Sequence, residues 1–309
     1  MRKSFALIFN ARAGVARPKL LDGVIAELKA AGAHVFQLPA RSAEEATQRV
    51  AELAQSKGAD AVIAAGGDGT FRAVATGAAG SQMPVGFLPL GTGNVLAHEI
   101  GLHKNASALA RGLITNPEIP IQGGTVNGQP FFLMAGAGFD ARIVQALNFK
   151  TKRLVARAAY TAPVLKALSY GAEQFDVDVD GRGFSASWVI VTRAGRYGGS
   201  FVLSRDTRLG AATMVAVLIE AQSSAALAAC SLALASGRLA DPATRPRNVT
   251  MIPARRVVIG RRTHVPLQVD GDDAGTTPAE VVADGPVARI IVPPAYLDDL
   301  PNCHTNHLL

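Results

Sequence analysis

Residues 60–71 read Asp60-Ala61-Val62-Ile63-Ala64-Ala65-Gly66-Gly67-Asp68-Gly69-Thr70-Phe71. After Asp60 the run is apolar and too short for a helix, which predicts a strand over 60–65 of the kind buried on both faces in parallel sheets. It runs straight into a glycine cluster, and a helix is expected from about 71 to 77. Open α/β sheets bind ligands at such a junction, beyond the carboxyl end of a strand. Glycines let backbone N–H groups approach an anion closely, the helix N-terminus adds partial positive charge, and Thr70 offers a hydroxyl. Asp68 suits a divalent cation riding with a phosphate, and it equally suits a helix cap.

Moving outward from this loop, the flanking sequence repeats the same unit. Residues 4–9 predict a first strand, and Leu20, Leu21, Val24, Ile25 and Leu28 recur at helical spacing. A second strand is expected over 34–38, after which Ser42-Ala43-Glu44-Glu45 has the spacing of a capping box ahead of Ala46, Val50, Leu53 and Ala54. An apolar strand over 84–90 ends in Gly91-Thr92-Gly93-Asn94, and the first strand ends in Asn10-Ala11-Arg12-Ala13-Gly14. Strands alternating with amphipathic helices imply parallel pairing, hence an open α/β sheet. Three polar, glycine-containing loops then meet at one sheet edge, where Asn10 can bond a nucleotide and Arg12 can approach phosphate.

Beyond residue 120 the pattern changes to short strands. They are expected over 119–126, 130–134, 174–179, 187–192, 213–219, 248–252, 256–259 and 265–269, with turns at Asn127-Gly128 and Asp180-Gly181. Helices near 141–168 and 223–236 interrupt them. The reading is an α/β domain over 1–120 followed by a β-sandwich over 121–289. Late in the chain, Gln268-Val269-Asp270-Gly271-Asp272 places two carboxylates beside a turn-forming glycine. Asp-Gly is equally a plain hairpin turn.

The 309 residues are 49% hydrophobic and 18% charged, enough to fold and to exclude a disordered chain. Lys+Arg 31 against Asp+Glu 24 leaves +7, which attracts phosphates, acidic headgroups or nucleic acid. Aromatics at 6%, without a recognisable nucleic-acid-binding signature, argue against the last. Two cysteines without a CxxC spacing exclude a disulfide framework and a four-ligand zinc site, and fit a reducing compartment. The most apolar stretch, 225–235, is about half the ~20 residues a bilayer span needs. Basic clusters at Lys150, Lys152, Arg153 and Arg157, and at Arg255, Arg256, Arg261 and Arg262, suit an anionic membrane surface, although each alone is also an ordinary solvated face.

Taken together, the loop 10–14, Gly66 to Thr70, Pro89 to Asn94 and the Asp-Gly-acidic motif at 270–272 resemble the diacylglycerol kinase catalytic-domain family, which includes bacterial soluble lipid kinases and the sphingosine kinases. The resemblance implies a two-domain lipid kinase using ATP and Mg²⁺, with the lipid held against a β-sandwich and a C-terminal segment of about 290–309 packed back on the first domain. It places Asn10, Gly66, Gly67, Gly69, Thr70, Gly91, Thr92 and Asn94 around ATP, Asp68 with the metal and phosphate, and Asp272, with Asp270 as second candidate, as the base. The implied partners are a lipid and the inner face of a membrane, approached from the cytoplasm; a homodimer is left open.

This chain departs from the family pattern in places. Ala11 replaces a proline, Asp272 stands where Glu is usual, and Phe71-Arg72-Ala73 comes after the glycine loop where Leu-Asn-Glu is common. Gly210 and Ala211 occupy positions where acidic residues would hold a structural metal, so none is expected there. Asp140, in Gly138-Phe139-Asp140, can position substrate or cap a helix, and Tyr197-Gly198-Gly199 matches a family glycine pair or forms a bend. Two other readings are an NAD kinase, which shares the glycine-aspartate loop but carries an Asn-Glu pair after it that this chain lacks, and a nucleotide- or lipid-binding protein that has lost catalysis.

Overall fold

The computed structural model describes residues 1–10, 17–146 and 161–298. Strands β1 (Ser4–Asn10), β2 (His34–Ala40), β3 (Ala61–Gly66) and β4 (Pro84–Pro89) alternate with helices α1 (Pro18–Ala30), α2 (Ala43–Ser56) and α3 (Asp68–Ala78). They pair in parallel in the order β2-β1-β3-β4. The apolar runs explain why: residues 61–65 of β3 are fully or almost fully enclosed, and each large side chain such as Ile63 contributes roughly 1.5–3 kcal/mol by leaving water. Helix α1 buries Leu21, Val24 and Leu28, the stripe its periodicity predicts. At the start of α2, Ser42 accepts from the Glu45 N–H at 3.1 Å and Glu45 reaches back to the Arg41 N–H at 2.6 Å, a capping box displaced by one residue. Helices α4 (Val95–Glu99) and α5 (Ala106–Thr115) lead to β5 (Glu118–Gln122).

Residues 119–126, expected as one strand of the second domain, are divided in the structure. Strand β5 stays with the first sheet, whereas β6 (Gly124–Val126) pairs with β7 (Gln129–Phe131) in another. The change of sheet falls at Gly123-Gly124, where a Cβ would come within 2.6 Å of the Phe131 carbonyl and 2.5 Å of its ring respectively. Only glycine allows the chain to pass so close.

The remaining strands form the sandwich. They are β8 (Met134–Gly138), β9 (Phe175–Val179), β10 (Arg182–Ala186), β11 (Trp188–Thr192), β12 (Arg196–Tyr197), β13 (Phe201–Val202) and β14 (Met214–Ile219). They continue as β15 (Val249–Ala254), β16 (Arg256–Ile259), β17 (Pro266–Val269), β18 (Asp272–Thr276) and β19 (Ala279–Val282). One antiparallel sheet has the order β10-β9-β16-β19-β6-β7 and the other β15-β14-β11-β8-β17-β18; β12 and β13 form a small hairpin across Gly198-Gly199. The period of two decides what each face meets. In β11, Val189 and Val191 pack in the sandwich core, while Trp188 and Ile190 face a larger apolar cluster shared with helices and with the first domain. Those helices are α6 (Phe139–Ala146), α7 (Thr161–Ser169) and α8 (Ser224–Ala235). The basic cluster at 150–157 lies outside the described residues.

The chain finally returns to its first sheet. Strand β20 (Val287–Ile291) lies between β4 and β5, parallel to one and antiparallel to the other, and α9 (Pro294–Asp298) comes last. No helix among the described residues is long and apolar enough to cross a membrane.

Candidate active site

The loops after β3 and β4 are built as one object. The Gly66 carbonyl accepts from the Leu90 and Gly91 N–H groups at 2.9 and 3.2 Å. A Cβ on Gly91 would sit 2.8 Å from the Gly67 Cα, so the two backbones touch where both lack side chains. Asn94, buried and at φ 47°, adopts the left-handed conformation asparagine tolerates; its Nδ2 donates to the Gly91 carbonyl at 2.6 Å and its Oδ1 has no partner among the described residues. Asp68 does not cap its own helix, whose N-cap is Gly67. Its two carboxylate oxygens instead accept from Val95 N–H at 2.9 Å and Leu96 N–H at 3.1 Å, which ties α4 to the first loop. Burial raises the Asp68 pKa to about 6 against the pull of those two bonds, and the nearby Asp270 and Asp272 charges push the same way.

The Asp270-Gly271 pair forms the turn between β17 and β18, with φ of 49° and 81°, the pattern of a type I′ hairpin. The turn sends its two carboxylates to different tasks. Asp270 is buried and accepts from the backbone N–H groups of Phe132, Leu133 and Met134 at 3.1, 3.0 and 2.9 Å. Burial pushes its pKa up, while the Arg72 charge and the three N–H donors hold it down. Asp272 reaches across to α3, where Arg72 Nη2 donates to its Oδ2 at 3.0 Å and Arg72 Nη1 donates to the Val269 carbonyl at 2.7 Å. Gly69 makes the room: a Cβ there would lie 2.6 Å from that same Oδ2.

Both loops and the turn open onto one cavity of about 600 Å³. One end is walled by Gly67 to Gly69 and Gly91 to Val95; the other is apolar, with Ile143, Val164, Trp188, Phe201, Leu232 and Leu234. Asp140 lines the same cavity. It is buried, its Oδ2 accepts from Gln268 Nε2 at 3.0 Å and from the Tyr197 hydroxyl at 3.5 Å, and its Oδ1 is unpartnered among the described residues. Burial raises its pKa to about 7. Gln268 also accepts from the Gly271 N–H at 2.9 Å, so one amide joins Asp140 to the carboxylate turn.

Of the residues singled out in the sequence, Gly67, Asp68, Gly69, Gly91, Thr92, Asn94, Asp270 and Asp272 line this cavity. Gly66 and Thr70 stand behind it: a side chain on Gly66 would run into the Thr70 hydroxyl, so the pair packs the strand end. Asn10 closes β1 opposite Ala40, and the loop 11–16 lies outside the described residues. Sequence reasoning does not assign Gln268 or the partnership of Arg72 with Asp272. The signal for Arg72 is its spacing of three from Gly69, which puts both on one face of α3. No group of three or more His, Cys, Asp or Glu among the described residues forms a metal cage. Mg²⁺ typically takes one or two carboxylates plus phosphate oxygens and water, and the hard oxygen of Asp68, with Asp270 and Asp272 raising its proton affinity, fits a cation arriving with a phosphate.

Comparison with known proteins accounts for both halves. Residues 4–126 match the model of the diacylglycerol kinase catalytic domain, and residues 134–296 match that of the YegS C-terminal NAD kinase beta sandwich-like domain. A protein of Bacillus subtilis (strain 168) named diacylglycerol kinase is 27% identical over 271 residues, covering 85% of this chain and 88% of its own. One of Mycobacterium tuberculosis (strain ATCC 25618 / H37Rv) with the same name is 35% identical over 136 residues, 42% of this chain and 44% of its own. A crystal structure of a diacylglycerol kinase from Bacillus anthracis str. Sterne superposes with a TM-score of 0.67 at 18% identity, over 96% of this chain and 98% of that one, which shows the shared fold. A catalytic-domain model ending where the first sheet gives way to the sandwich, and a sandwich model covering residues 134–296, leave one conclusion: the chain belongs to the diacylglycerol kinase family of lipid kinases.

Proposed function

We propose that the protein transfers the γ-phosphate of ATP to a hydroxyl of diacylglycerol or a related lipid. The observation that supports this most is the single cavity joining a glycine-lined end to an apolar end, with Asp272 and Asp270 on its wall. A nucleotide's phosphates and a lipid's acyl chain need those two environments side by side. In this reading the backbone N–H groups of Gly67 and Gly69 face the phosphates, Thr92 offers a hydroxyl, Asn10 and Asn94 complete the nucleotide site, and Gly66, Thr70 and the Gly91 N–H hold the two loops in place from behind. Asp68 carries the oxygens that would hold an ATP-bound Mg²⁺, whose chemistry is neutralising charge on the transferring phosphoryl group. Asp272 accepts the proton of the lipid hydroxyl as its oxygen bonds to the γ-phosphorus and ADP leaves. Asp270, held by three N–H groups, sets the turn that carries Asp272.

The substrate of such an enzyme sits in a bilayer, and the apolar end of the cavity suits that. Leu165, Tyr170 and Leu232 are 64%, 56% and 71% exposed on or beside α7 and α8, and Leu232 also lines the cavity. Exposed Lys166 and Arg238 flank them, the charge sign that anionic headgroups attract at ~1 kcal/mol per residue. We place the lipid entrance there, at the inner face of a membrane. Replacing Leu232 with Asp should release the protein from phosphatidylglycerol vesicles in sedimentation while leaving ATP binding intact; unchanged sedimentation would move the docking face elsewhere.

The deciding experiment is lipid-dependent transfer of radiolabelled γ-phosphate across diacylglycerol, monoacylglycerol, sphingoid bases and phosphatidylglycerol, with NAD as a further acceptor. A labelled lipid phosphomonoester is expected. Binding of ATP with no transfer would leave a binding protein, and label on NAD alone would leave an NAD kinase.

A further inference from the structure

Arg72 has no part in the proposed reaction, yet it makes two directed bonds across the junction of the α/β layer and the sandwich. Its Nη1 donates to the Val269 carbonyl at 2.7 Å and its Nη2 to Asp272 Oδ2 at 3.0 Å. Those acceptors lie on opposite sides of the Asp270-Gly271 turn, so one planar guanidinium spans it, a geometry that a lysine ammonium cannot reproduce. An isolated ion pair at this exposure, 21% for Arg72 and 49% for Asp272, would hold its geometry weakly. Two further features tighten it. The backbone bond to Val269 anchors the fork, and Gly69, three residues earlier on the same helix face, leaves a seat that a Cβ would fill to within 2.6 Å of Oδ2. Arg72 engages Oδ2, which leaves Oδ1 to receive a proton.

We infer that Arg72 is a positioning residue for this chain's phosphoryl transfer: it clamps the β17–β18 hairpin to α3 and fixes the Asp272 carboxylate with Oδ1 toward the acceptor hydroxyl. The inference rests on Asp272 being the base. A base must stand within about 2.6–3.2 Å of the proton it takes, and an error of ~1 Å in placement lowers rates by ~10²-fold. Asp272 opens an exposed strand, so without the fork nothing else among the described residues holds its side chain to the glycine loop.

Two variants and two measurements test this. Arg72→Ala should lower kcat by ~10–100-fold while KM for ATP and for lipid move by less than about twofold, because the residue touches neither substrate. Arg72→Lys, which keeps stem and charge but not the fork, should recover only part of that loss. A kcat within about twofold of wild type in both variants would overturn the inference, and so would a loss carried by KM for ATP, which would place Arg72 on the nucleotide. The second measurement is hydrogen exchange of the 266–276 hairpin, expected to accelerate by ~10-fold in Arg72→Ala as local opening becomes easier; unchanged exchange would remove the clamp. Because exchange needs no turnover, a wild-type protein inactive on every lipid, with a hairpin that loosens in Arg72→Ala, would sink the kinase reading and leave the clamp standing.

Discussion

Gly69 is the smallest residue at the site and one of the most demanding. It lies in the first turn of α3, where alanine is worth up to ~1 kcal/mol more than glycine to the helix. Function and stability should therefore part company in Gly69→Ala: the melting temperature should hold or rise, while kcat falls ~10–100-fold as the new Cβ displaces Asp272. Thermal denaturation read alongside phosphate transfer checks both halves. Asp68 behaves otherwise, because its carboxylate joins loop and helix as well as lining the cavity. Asp68→Asn can offer only one amide oxygen to two N–H donors and brings no charge, so transfer should drop ~10²-fold or more in a radiolabel assay. At this scale the departures from the family pattern also acquire a sense. A longer basic residue at 72 and a shorter acid at 272 meet in one hydrogen bond.

The two glycine loops act as a unit because Gly67 and Gly91 touch backbone to backbone. Gly91→Ala would force a Cβ to 2.8 Å from the Gly67 Cα, a contact that no side-chain rotation relieves. The loops should separate, and the Kd for ATP measured by calorimetry should rise ~10-fold or more; an unchanged Kd would detach the second loop from the nucleotide. The strands and helices through β4 and the glycine loops after β3 and β4 are legible in the sequence because period and glycine placement are local properties. The Asn-Gly turn at 127–128 and the Asp-Gly turns at 180–181 and 270–271 are legible for the same reason, and all have positive φ at both residues. What local pattern does not show is which element answers which. Asp68 capping a helix 27 residues away, Asp270 bound by the 132–134 backbone, and Gln268 joining Asp140 to the turn are all long-range pairings. The division of 119–126 between two sheets escapes for a related reason, since an apolar run does not state which sheet it joins.

Across the whole molecule, several carboxyls sit inside it with raised pKa values, Asp140 at about 7 and Asp68 at about 6, against an ordinary 3.8. Such groups bind protons more tightly folded than unfolded, so their favourable contribution is complete below about pH 4 and is lost as pH climbs through 6 to 7. Half-buried His98, with its pKa lowered by burial, works in the opposite direction over part of this range, so a variant comparison isolates the effect. Urea denaturation of Asp140→Asn should show a shallower decline in stability between pH 5 and 8 than wild type, by an amount on the order of a few kcal/mol. Equal slopes would mean that Asp140 titrates normally. Finally, β20 separates β4 from β5, although β5 ends at Gln122 and the returning strand begins only at Val287. On the ribosome, the amino-terminal half therefore emerges with its sheet unfinished and two strand edges unpaired until residue 291 has been made. The glycine-lined and apolar parts of the cavity are consequently completed together: a fragment stopping at residue 126 would meet the solvent with open edges and would be expected to aggregate.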